Sequence, residues 1–227
     1  MQSLIHTFLS LLKWPLAACA LALTPACALA FWEICRQLVQ LEVWKHPFGI
    51  GFSGTLVLWM IFGRSRFVKF WSTMDHEFTH AIFAWITGVR VLELRSTDGS
   101  PEVLTDDSEG HVRIAGGNWL IALSPYFFPT AAAVIWISTW ALAEIPSVFA
   151  RGMIGAATAY SILSTVREIH PLQSDFDKAG KLFTMAVLPC LNLVIYGVII
   201  ANEFGGERQV VGYLKLVLSK TAAWIGV

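Results

Sequence analysis

His76 and His80 stand four residues apart, with Glu77 directly after the first. On a helix that spacing sets two imidazoles one turn apart on the same face, where they can take adjacent corners of a tetrahedral metal site. Glu77 then projects beside the metal without ligating it, the position from which a carboxylate can take a proton from a metal-bound water. Zinc lowers the pKa of such a water from about 15.7 to about 7, so a nucleophile is available at neutral pH. The chemistry that follows from this pattern is hydrolysis. The plainer reading, in which these side chains only hydrogen-bond neighbouring helices of a bundle, does not account for the three-residue spacing.

These residues need a helix to position them, and Phe70 to Ile86 reads as one, with neither Gly nor Pro. Asp75, His76, Glu77 and His80 fall near its middle, flanked by bulky apolar residues. The surrounding solvent then matters. Of 227 residues, 56% are hydrophobic and 14% charged, too little polar surface to wrap one soluble core. Membrane is the expected solvent, and ionisable groups at that depth each cost a few kcal/mol unless paired, solvated or metal-bound. Basic and acidic residues balance at 16 each, so no overall charge argues for nucleic acid as a partner.

Apolar stretches near 14–34, 48–63, 67–88, 118–142, 148–167 and 180–202 predict an all-α membrane protein of about six transmembrane helices. Arg64, Arg66 and Lys69 form the densest basic cluster and are expected on the cytoplasmic side, with the N-terminus. Ala28-Leu29-Ala30 mimics a processing site and Leu16-Ala17-Ala18-Cys19 a lipidation box, but we expect the first span to remain as an uncleaved anchor. Residues 89–117 are the one extended polar interval. Val89 to Leu94 alternates apolar and polar before a Thr97–Pro101 turn, predicting a strand. A second strand, around Val103-Leu104 or His111–Ile114, would complete a short β-hairpin or small sheet. Beyond Gly205-Gly206, residues 210–218 suit an interfacial amphipathic helix. The chain thus divides into N-terminal membrane helices (1–66), a core (67–203) and a C-terminal amphipathic tail (204–227). Cys19, Cys27, Cys35 and Cys190 read as buried thiols.

His76-Glu77-Phe78-Thr79-His80-Ala81, followed by Ile82 to Thr87 and then Gly88-Val89-Arg90-Val91, resembles the site-2 protease family of intramembrane zinc metalloproteases. The likeness covers about half the chain. It implies an HExxH motif on a transmembrane helix, a Gly-Val turn into membrane-associated strands, Zn2+ as cofactor, Glu77 as the catalytic base, and a membrane-embedded or juxtamembrane protein or peptide as substrate. Thr79 stands where many relatives carry Gly, a departure expected to alter packing rather than ligation.

The resemblance also implies a third metal ligand, an Asp well downstream at a helix break. Glu168 to Asp177 partly matches that pattern, with Pro171 disfavouring helix before it. Glu168 takes the place of an Asn and Phe176 that of a Gly. Asp175 is the first choice, with Asp177, His170, Glu168 and His111 as alternatives; Asp175 could instead cap the final span. Pro125 and Pro129 are expected to kink the fourth span. Asn118 or Tyr126 could stabilise an oxyanion, though interhelical packing suits both better. The expected protein is an intramembrane zinc endopeptidase in a bacterial-type inner or plasma membrane. The competing reading is a non-catalytic metal-binding membrane scaffold of the same fold.

Overall fold

The computed structural model describes residues 2–40, 42, 45–95, 111–141, 147–170 and 173–226. In chain order the elements are α1 (Gln2–Gln40), α2 (Pro47–Phe62), α3 (Arg66–Ile86), β1 (Val91–Arg95), β2 (His111–Ile114), α4 (Trp119–Leu123), a 3-10 turn (Ser124–Tyr126), α5 (Thr130–Ala141), α6 (Ser147–Glu168), α7 (Ser174–Ala179) and α8 (Lys181–Ile225). The chain is therefore mostly helical with one small antiparallel sheet, β1 against β2, lying between α3 and α4 as expected. Of the two placements for the second strand, His111–Ile114 forms it. Val103-Leu104 and the Thr97–Pro101 turn lie outside the described residues.

The span count differs from six. Among the described residues two helices are long and apolar enough to cross a membrane, Leu4–Gln40 and Lys181–Trp224, and a third span is obtained if a bent pair counts as one. That pair is Trp119–Tyr126 with Thr130–Thr139, bent by 79°. Pro125 and Pro129 explain the bend, since neither can donate a helical hydrogen bond and each crowds the turn before it. α2 is apolar but only 16 residues long. α3 and α6, at 21 and 22 residues, have the length but not the apolar composition.

α1 packs along α8, α2 along α6, and α3 lies against β1, β2, α4 and the 3-10 turn. The tail is not a detached interfacial helix. At Gly206, φ is +60° and ψ −154°, a conformation that residues with a Cβ rarely adopt, and it breaks the helical run. The Tyr213 hydroxyl donates to the Leu193 carbonyl at 2.9 Å. Twenty residues of straight helix would hold those groups about 30 Å apart, so the chain turns back at Gly206 and its final arm packs on the preceding one. Tyr213 and Val217 are accordingly buried. The cysteines also divide: Cys27 and Cys190 are buried with sulfurs 3.9 Å apart, Cys35 is half-buried, and Cys19 is exposed on the outer face of α1.

Candidate metal centre

α3 begins where Ser65 accepts a hydrogen bond from the Val68 N–H at 3.2 Å. It ends at Gly88, whose φ of +72° lets the Val89 N–H return to the Ala84 carbonyl at 2.7 Å. Between these ends the inward face is unusual. Ser72, Thr79, His80 and Phe83 are buried and Asp75 and His76 half-buried, while Phe67, Trp71, Trp85 and Ile86 are exposed. The polar residues fall at successive three- and four-residue steps, one stripe of a helix.

His76 and His80 meet across that stripe, Nε2 to Nε2 at 3.2 Å. The third member comes from α7. Asp175 lies in its first turn and is buried, with Oδ2 3.2 Å from His80 Nε2 and 3.6 Å from His76 Nε2. Three ligand atoms bound at about 2.0–2.1 Å to a tetrahedral ion stand about 3.3–3.4 Å apart, so this triangle fits such an ion. The donor chemistry agrees. His80 Nδ1 lies 2.8 Å from the Ile121 carbonyl, which can only accept, so Nδ1 carries the proton and Nε2 of the neutral ring presents a lone pair. That lone pair faces a carboxylate oxygen and a second imidazole nitrogen, a set that a cation binds together.

Two groups orient Asp175. The hydroxyl of Tyr126, which is fully buried, donates to Oδ2 at 3.2 Å, and Lys178 Nζ lies 3.0 Å from Oδ1. The Tyr126 ring also stands edge-on to His76, with centroids 5.1 Å apart.

Glu77 is outside the triangle and half-buried, and its carboxylate accepts a hydrogen bond from the Val112 backbone of β2. A residue in an antiparallel strand sends its N–H and C=O to the same side. With that amide aimed at Glu77, Val112 turns both groups away from Leu94, its partner in β1, and the outer edge of β2 lies toward α3.

Of the other candidate ligands, Asp177 is exposed and pairs with Lys181 at 3.1 Å. Glu168 accepts from Ser72 at 3.1 Å, and Ser72 shares a further hydrogen bond with Ser164. His170 is exposed and outside the triangle; the His111 side chain lies outside the described residues, as does Pro171. Asp175 does not cap the last helix, where Gly180 holds the N-cap position. Asn118 caps α4 by accepting from the Ile121 N–H at 3.0 Å, which fixes the turn whose Ile121 carbonyl holds His80. Thr79 serves packing, hydrogen-bonding the Asp75 carbonyl and the Thr130 hydroxyl at the start of α5. Ile121, Val112 and Lys178 were not singled out from the sequence: two act through their backbones, which leave no residue-type signal, and the third is an ordinary surface lysine. Comparison with protein-family models, with curated proteins and with solved structures gives no match.

Proposed function

We propose that this chain is an intramembrane zinc endopeptidase of the site-2 protease type, crossing a bacterial-type inner or plasma membrane several times. The observation that carries the proposal is the His76, His80 and Asp175 triangle with Glu77 beside it and outside it. His76, His80 and Asp175 would hold the ion and leave one position open, the arrangement of catalytic rather than structural zinc sites. Zinc bound there supplies Lewis acidity, lowering the pKa of water at the open position and polarising the substrate carbonyl.

The chain's own groups do the rest. Glu77 takes the proton of the attacking water as the new C–O bond forms, and returns it to the amine that leaves when the C–N bond breaks. The Val112 amide holds the Glu77 carboxylate in place for both transfers. The outer edge of β2 suits an extended membrane-embedded or juxtamembrane peptide, because backbone pairing presents a peptide bond in the open beside that carboxylate.

Purified protein of three kinds tests this: wild type, Glu77→Gln and His80→Ala, each assayed for bound metal, including iron, and for cleavage of a co-reconstituted single-span membrane protein. Wild type should bind about one zinc and cleave. Glu77→Gln should keep its zinc and lose about 10²- to 10⁴-fold in rate. His80→Ala should lose both. Undiminished cleavage by Glu77→Gln would sink the mechanism, and zinc binding without cleavage of any membrane substrate would favour the scaffold reading.

A further inference from the structure

The two histidines of the triangle are not supported alike. His80 gives its second ring nitrogen to the Ile121 carbonyl, whereas among the described residues Nδ1 of His76 makes no hydrogen bond to protein. Metal-bound histidines almost always donate that second N–H to a carboxylate, a carbonyl or a water. His76 also lines a cavity of about 10 Å³ between α3 and α6, whose walls include Asp75, Ser161, Ser164 and Glu168. That is room for about one water.

Ser161 makes the cavity more than a packing gap. It is 3% exposed, and its hydroxyl has no hydrogen-bond partner in the protein. A buried hydroxyl left without a partner is destabilising. Its position is set by the helix: Ser161, Ser164 and Glu168 fall at three- and four-residue steps, so α6 turns one polar stripe toward α3. Ser164 is engaged with Ser72, and Glu168 accepts from Ser72 through only one of its oxygens. An unpaired hydroxyl, a half-used carboxylate and an imidazole with an unanswered nitrogen therefore line the same small space.

We propose that one ordered water is bound there, accepting from His76 Nδ1, hydrogen-bonded to Ser161 Oγ, and donating toward Glu168 and Asp75. Three or four partners are what a buried water requires. A cation of the same size suits the site less well, because the His76 N–H would point its hydrogen at it. The water gives His76 the support that a backbone carbonyl gives His80, and it fixes the tautomer in which His76 Nε2 faces Asp175. This rests on the metal-centre reading but not on peptidase activity.

The test uses the full chain in lipid nanodiscs, with zinc affinity measured by competition against a chelating indicator and a high-resolution structure of the metal-free wild type. Ser161→Val places a methyl group in the water's space and should weaken zinc about 10- to 100-fold, with helicity and metal-free melting temperature kept. Ser161→Ala leaves the space and should weaken it by less. The wild-type structure should show a water within hydrogen-bond distance of both Ser161 Oγ and His76 Nδ1. Wild-type affinity in a folded Ser161→Val protein overturns the proposal. So does a metal-free structure in which His76 Nδ1 donates to a protein group or no water sits at Ser161, and this readout stands whether or not Ser161→Val folds. If wild type binds no zinc, the metal centre itself is refuted, while the water is still decided by the metal-free structure.

Discussion

The contact between α3, α4 and α7 and the seam between α2 and α6 are both interior, yet they are built on opposite plans. Around α3, imidazoles, carboxylates and hydroxyls are buried, and two members of the triangle have a partner placed by another element: Ile121 for His80 and Tyr126 for Asp175. Along the α2 and α6 seam the side chains are removed instead. A Cβ on Gly51 would collide with the Gly152 carbonyl, and one on Gly155 with the Phe48 carbonyl, so the two backbones approach as closely as glycine permits. Directional polar contacts hold a geometry for chemistry, while close apolar packing holds helices together. α6 takes part in both, with its glycines toward α2 and its serines toward α3.

Substitutions should separate the two plans. The largest effect is expected for Asp175→Ala, which removes one ligand of three and should bring zinc content after gel filtration from about one per chain to near zero. Asp177→Ala, at an exposed residue two positions on, should retain it. Full retention in Asp175→Ala would show that the triangle is not the site. Next is Gly155→Leu, whose side chain meets the Phe48 carbonyl; unfolding in mixed detergent should show a loss of about 3 kcal/mol. The folded fraction should still bind its zinc.

Tyr126→Phe keeps the ring against His76 and removes only the hydroxyl on Asp175. It should weaken zinc about tenfold with little change in melting temperature. If Tyr126→Phe melts the bundle or Gly155→Leu empties the metal site, the division between the two plans is wrong. The smallest effect is expected for Lys178→Ala: its side chain is 65% exposed, and an ion pair so open to water contributes about 0–1 kcal/mol, so zinc affinity should change by about fivefold at most.

Much of the candidate metal centre is legible in the sequence because the first two members of its triangle are local: a four-residue spacing on a helix fixes their geometry whatever the rest of the chain does. Asp175 comes from a segment about a hundred residues on, and its neighbours matched the family pattern only in part, so four other side chains and a capping role competed with it. The groups that steady the ligands were harder to read. A backbone carbonyl at Ile121 and an amide at Val112 can be assigned only once the fold brings them to α3.

The helices were read well as helices and less well as spans. Hydropathy treats α3 and α6 as stretches of average apolarity, whereas their polar residues are gathered on one inward stripe that an average cannot register. At the other end of the chain, Gly205-Gly206 was read as the start of a tail. Its consequence, a reversal that buries Tyr213, depended on a φ of +60° at Gly206 and on room at Gly197, against which the Tyr213 ring packs.

The pairing of α1 with α8 sets an order of events during synthesis. The first helix emerges well before the last, and at about 5–20 residues per second the delay is on the order of ten seconds. Through that interval the small buried residues of α1, Ala17, Ala20, Cys27 and Ala30, have no α8 to meet. Asp175 arrives just ahead of α8, so the triangle is completed only about a hundred residues after its histidines. A fragment released early would carry both histidines and Glu77 without their third partner, and completion of the triangle would come just before closure of α1 on α8.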